Sequence, residues 1–129
     1  MDFLSSNSFM LLEKSLGFLW TKEAAIADNV ANAETPNYKA KTVTFEESLR
    51  SKIARAGQSA YPRKAVRSVL ETADFAVIEE EDSTRMDDNG VNVTEQMTEA
   101  VRTAYQMRYV MNAITSDISS LQAAIRSSQ

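Results

Sequence analysis

Between Val93 and Ile125 the chain steps by four and three residues: Val93, Met97, Ala100, Ala104, Met107, Met111, Ile114, Ile118, Leu121, Ile125. Every step lands on an apolar residue, and neither Pro nor Gly interrupts it. A strict four-three alternation is a heptad stripe, the pattern of a helix that lies along another helix. At roughly 1.5 Å per residue such a helix is about 50 Å long. That exceeds the width of a small compact domain, so part of the stripe requires a partner outside a simple globular core. Asn89-Gly90 marks a turn before it. Asn92 stands three residues before Glu95, the spacing of a capping box. Glu95 and Glu99 near the start and Arg126 near the end suit the helix dipole. The predicted helix covers 92–127.

A second heptad stripe opens the chain: Phe9, Leu12, Leu16, Leu19, Glu23, Ile26, Val30, Ala33. Only Glu23 breaks it. Residues 1–6 read as frayed, with Ser8 or Asn7 as N-cap. The predicted helix covers 7–33, and Pro36 stops it. Gly17 inside it lowers helix stability by about 1 kcal/mol relative to Ala. Matching stripes at the two ends, and none in the middle, imply that the terminal helices lie side by side. The predicted fold is mainly α: long N- and C-terminal helices paired as an antiparallel coiled coil within one domain, residues 1–129. Each buried seam Leu, Ile or Phe contributes roughly 1.5–3 kcal/mol.

The span 34–91 reads as a turn followed by an irregular outer segment, with a short β-hairpin as its candidate regular element. Asn37 after Pro36 suits a turn, because Asn tolerates the left-handed region. Thr42–Phe45 is β-prone. Phe45, Leu49, Ile53 and Ala56 form a short helical stripe that Gly57 ends. Ala65–Leu70 and Phe75–Ile78 read as strands, and Asp87-Asp88-Asn89-Gly90 as a turn.

Composition narrows the chemistry. The 129 residues include no Cys and no His. That excludes disulfides, thiolate zinc sites and cysteine nucleophiles, and it removes the commonest general base and metal ligand. Asp87-Asp88-Asn89 offers oxygen ligands, but counting a calcium loop from Asp87 puts Thr98 at the twelfth position, where a Glu is needed. No carboxylate pair is marked for hydrolysis and no glycine-rich phosphate loop is present. The reading is therefore no enzyme, no cofactor and no metal. A net charge of −4 does not suggest nucleic-acid binding. Charge is blocked: Lys39–Arg67 holds eight basic and two acidic residues, Glu71–Glu99 ten acidic and one basic. Such blocks are ordinarily solvated faces, and they also suit contact between one subunit's basic face and the next one's acidic face. No apolar run spans a bilayer and no secretory signal is visible.

Residues 26–40, containing Asn29, Asn32, Thr35, Pro36, Asn37 and Tyr38, closely resemble the Asn-x-x-Thr-Pro-Gly-Tyr signature that ends the first helix of bacterial flagellar rod and hook proteins. Asn89-Gly90-Val91-Asn92-Val93 is also similar to that family. Ala104-Tyr105-Gln106-Met107-Arg108-Tyr109 looks most like one of the two sister short proteins of the proximal rod, with the other as the near alternative. Asn37 departs from the family's usual Gly, and Glu23 is a second oddity, suited to a basic residue of a neighbour. The resemblance implies a structural component of the flagellar basal body. It would build the proximal rod of the drive shaft by helical self- and hetero-assembly around a central export channel. Its partners would be other rod subunits, the adaptor that joins rod to MS ring, and the flagellar type III export apparatus. Its place would be the periplasmic rod, reached without a cleaved signal peptide or membrane insertion. The implied assembly seam is Phe9, Leu12, Leu16, Leu19, Ile26 and Val30 with Met97, Ala104, Met107, Met111, Ile114, Ile118, Leu121 and Ile125. Phe45 and Leu49 resemble the export-gate recognition pattern of early rod and hook substrates; a buried turn of helix is the plain alternative. Outside this family, a soluble cytoplasmic coiled-coil adaptor forming a closed dimer remains the rival reading.

Overall fold

The computed structural model describes residues 6–80 and 89–127. Six elements follow one another: α1 (Asn7–Ala31), β1 (Lys41–Thr44), α2 (Glu46–Gly57), α3 (Pro62–Glu71), β2 (Ala76–Glu79) and α4 (Val93–Ser127). The long terminal helices α1 and α4 pack against each other. Asn29 Nδ2 donates to Gln96 Oε1 at 3.0 Å, and Lys22 Nζ lies 3.0 Å from Glu99 Oε2. Stepping back along α1 while stepping forward along α4 makes the pair antiparallel. No described helix is long and apolar enough to cross a membrane.

Tertiary packing divides the chain into two compact units, and each long helix contributes to both. One unit comprises the chain up to Gly17, Glu46–Ala73, and the part from Met107 on. Here α2 and α3 pack together, with Leu49, Ala56, Leu70 and Val110 buried. Lys14 Nζ donates to the Ala73 carbonyl at 2.9 Å and Asn7 Nδ2 to the Arg63 carbonyl at 3.0 Å, so the start of α1 is tied to both ends of α3. The cap of α1 is neither Ser8 nor Asn7. Ser6 Oγ accepts from the Phe9 N–H at 3.2 Å, which frees Asn7 for its long-range bond.

The strand expected at Ala65–Leu70 is a helix. Pro62 occupies the first turn of α3, where its missing N–H costs nothing. The covered positions are Ala65, Val66, Val69 and Leu70, a helical spacing with the basic residues on the other side. Arg67 and Glu71 add an i,i+4 ion pair at 2.8 Å. Two valines in a short run made the segment look β-prone, but burial followed the helical period.

The second unit comprises Phe18–Phe45 and Asp74–Gln106. Its core includes Phe18, Leu19, Ala25, Ile26, Val43, Phe45 and Val91. Phe18 and Phe45 stack with centroids 5.1 Å apart, and Phe75 meets both edge-on at 6.3 and 6.0 Å. β1 and β2 pair antiparallel, Lys41 opposite Glu79 through Thr44 opposite Ala76. They do not form a hairpin, because α2 and α3 lie between them in sequence. The predicted strand at Phe75–Ile78 is thus present, one residue later than expected. Residues 1–5, and with them most of the expected frayed terminus, lie outside the described residues, as do Asp87 and Asp88 of the expected turn.

Candidate functional site

The signature turn is held by three asparagines acting on backbone groups. Helix α1 ends at Ala31, two residues before the expected boundary, and the chain turns through residues 32–37. Asn32 Nδ2 reaches back to the Asp28 carbonyl at 2.8 Å, while its Oδ1 accepts from the Thr35 hydroxyl at 3.2 Å. Asn37 has φ of 59°, the described non-glycine residue in the left-handed region. Asn bears that conformation better than other residues with a Cβ, so the turn tolerates the absence of Gly.

Asn29 is fully buried and substitutes for a neighbouring strand. Its Oδ1 accepts from the Lys41 N–H at 2.7 Å and its Nδ2 donates to the Lys41 carbonyl at 2.8 Å. The same amide donates to Gln96, so one side chain joins α1, β1 and α4. Beside it, Lys41 Nζ pairs with Asp28 Oδ2 at 2.9 Å. The hydrogen bond to Asp28 holds the Lys41 ammonium above its usual pKa of 10.5, with help from the charges of Tyr38, Asp28 and Glu79.

Asn89 is the residue that sequence reasoning missed. The sequence placed it in a turn, in a rejected calcium-loop count and in the family-like run before the last helix, but gave no sign that it would be fully buried. Its Nδ2 donates to the carbonyls of Asn32 and Thr35 at 3.0 and 2.7 Å, and its Oδ1 accepts from the Val91 N–H at 2.8 Å. The Gly90 N–H donates to the Tyr38 carbonyl at 3.0 Å. The end of α1 is thereby fastened to the entrance of α4. Tyr38 packs on Ala33, Ala40 and Val91, while Pro36 is exposed. Asn92 caps α4 through the Glu95 N–H at 3.4 Å, as the capping-box spacing predicts.

The two predicted stripes meet different environments. On α1, Leu19 and Ile26 are buried and Phe9, Leu12, Leu16 and Val30 are half-buried. Glu23 is half-buried, and one of its oxygens is enclosed without a donor among the described residues. On α4 the stripe splits. Met107, Ile114 and Leu121 are half-buried, but Met97, Ala104, Met111, Ile118 and Ile125 are exposed, Met97, Met111 and Ile125 by more than half. The face that α4 turns inward is offset, with Thr103 and Val110 buried and Gln96 and Gln106 half-buried. Val101, Tyr105 and Tyr109 extend the exposed apolar surface. The 3.5-residue period was readable, but the inward side of the helix was not, because Thr103 and the glutamines break the apolar pattern. Of the export-gate pair, Phe45 is buried in the aromatic cluster, and Leu49 is buried in the other unit.

Such a surface can bind other helices; nothing in it brings reactive groups together. Among the described residues no group of acids is placed to hold a metal ion. No family model matches the chain. The flagellar basal body rod protein FlgB of Bacillus subtilis (strain 168) is 25% identical to it over 123 residues, covering 95% of each chain. The chain is thus FlgB-like, similar at modest identity but along nearly its whole length to a flagellar basal body rod protein.

Proposed function

We propose that this chain is a subunit of the proximal rod of the flagellar drive shaft. It assembles helically with copies of itself and with other rod subunits around a central export channel. The observation that carries this reading is the open α4 stripe on a chain similar end to end to a rod protein. An apolar stripe left outside by the chain's own packing requires another molecule to cover it. A contact that does not close into a ring continues into a filament. The sister proximal-rod role fits the same surface. Assembly partners would include the adaptor to the MS ring, and the route outward would be the flagellar type III apparatus, without a cleaved signal. Phe45 and Leu49, buried in the folded chain, would be readable by an export gate only while the chain is unfolded. Neither terminal helix is reliably stable without packing, so passage unfolded and ordering on assembly are compatible.

The test is to replace Met97, Met111 and Ile118 by Ser together and follow polymer formation and motility in a rod-forming bacterium. The expected result is loss of rods with the isolated chain still folded. Rods that form normally would sink the proposal. A cytoplasmic adaptor would instead yield a closed dimer that the same three changes dissolve.

A further inference from the structure

The two outer edges of the β1–β2 ribbon are treated differently. The Glu80 N–H donates to the Ala40 carbonyl at 2.8 Å, which fixes the phase of the ladder. With the register Thr42 opposite Ile78 and Thr44 opposite Ala76, Ile78 and Ala76 turn their backbone groups toward β1. Lys41 and Val43 on β1, and Val77 and Glu79 on β2, therefore turn theirs outward. The Lys41 groups are both taken by Asn29, and Val43 is buried. Those of Val77 and Glu79 have no partner among the described residues, and all four residues of β2 are exposed. An edge of this kind is a template for another strand.

The sequence of β2 selects the strand. Alternation puts Val77 on the face of buried Val43 and puts Ile78 on the opposite face with Thr42 and Glu80, whose side chains bond each other. Ile78 is thus a large apolar residue, 49% exposed, on the face away from Val43. If a second β2 arrives antiparallel with its two-fold axis at Ile78, Val77 of each copy exchanges both backbone bonds with Glu79 of the other. Ile78 then stands opposite Ile78, in the close non-hydrogen-bonded site. Glu80 stands opposite Ala76, so no two carboxylates face each other directly. The strand is self-complementary in backbone phase, in apolar contact and in charge.

We infer that two copies of the free chain pair through β2, giving a four-stranded antiparallel sheet in the order β1-β2-β2-β1. This contact is closed and two-fold. It uses none of the α4 stripe, so it is a state of the chain outside the rod contact and does not depend on the rod reading. Its interface is small, so the dimer is weak and in rapid exchange.

The absence of cysteine permits a direct test. Non-hydrogen-bonded antiparallel pairs bring side chains within disulfide reach. Under mild oxidation the full chain carrying Ile78→Cys should form a disulfide dimer at least tenfold faster than one carrying the exposed control Ser59→Cys. Adding Val77→Pro removes an outward N–H and leaves the β1 ladder intact, a change that edge strands accept; it should abolish the excess rate while the circular dichroism stays unchanged. Equal rates for the two cysteines would overturn the inference. The unmodified chain provides a second measurement. The Val77 and Glu79 amides should gain hydrogen-exchange protection as concentration rises, while the Ile78 amide keeps its own. Concentration-independent exchange at Val77 and Glu79 would also overturn it. The serine changes on α4 should leave both readouts untouched, which separates this contact from the rod seam.

Discussion

Helices α1 and α4 carry the same heptad period and differ in what covers it. The α1 stripe is buried or half-buried along its length, whereas six of the ten steps of the α4 stripe are exposed. The helices therefore divide two tasks. α1 is the scaffold, gripped by the aromatic cluster around Phe18, by the bond from Lys14 to Ala73, and by the signature turn. α4 meets that scaffold through Gln96 and Glu99, buries Thr103 and Val110, and keeps an apolar side outward. A shared sequence period fixes that a helix has a stripe; it does not fix which molecule buries it.

The largest expected effect breaks the scaffold. Phe18→Ala removes a buried ring from the Phe45–Phe75 cluster and should lower stability by about 3–5 kcal/mol in urea unfolding. Met111→Ala, the same kind of truncation on the open stripe, should change it by no more than about 0.5 kcal/mol. Similar losses at both positions would mean that α4 is covered within the chain after all, and the contrast would be lost.

Next come the asparagines that join the two helices. Asn89→Ala leaves two turn carbonyls and the Val91 N–H without their partner in a buried place. Asn29→Ala does the same to both backbone groups of Lys41. Each should cost about 2 kcal/mol, measured by chemical denaturation. Amide exchange should locate the first loss at the entrance of α4 and the second at β1. A uniform loss across the chain would make these residues general core rather than joints.

The same asparagines show what could be read from the residues alone. The terminal helices, the stop before Pro36 and the cap at Asn92 follow from short-range rules and were legible. The signature marked Asn29 and Asn32 as special through resemblance, but nothing local said that Asn29 would stand in for a strand at Lys41. Asn89 looked like an ordinary turn residue, since its partners lie more than fifty positions earlier. The α3 helix was misread because ten residues with two valines hold little periodic signal, and packing against α2 decided the outcome. Long-range hydrogen bonds and the choice of inward face are tertiary facts, and a linear pattern carries them weakly.

Asn37 offers a smaller, sharper probe of the joint. At φ of 59° a residue with an ordinary Cβ is strained. Asn37→Ala should cost about 1 kcal/mol in thermal or urea unfolding, while Asn37→Gly should be neutral or slightly stabilising. An alanine without cost would show that the turn relaxes to another conformation. In that case Asn89 could not hold both carbonyls as it does.

The smallest effect concerns the ion pair on the scaffold side, for which α4's exposed stripe has no counterpart. Asp28 raises the Lys41 pKa above the ordinary 10.5 in the folded chain. A raised folded value means that folding favours the proton. The contribution is complete below the unfolded value and disappears as pH rises through the folded one. Because the pair is open to solvent, screening keeps the effect small. Stability followed from pH 9 upward (an alkaline series in urea) should therefore fall more steeply in the unaltered chain than in Asp28→Asn, with the two curves converging at the alkaline end. The difference should shrink with added salt. Parallel curves throughout would show that the grip of α1 on β1 rests on Asn29 alone, with Lys41 contributing through its backbone and not its charge.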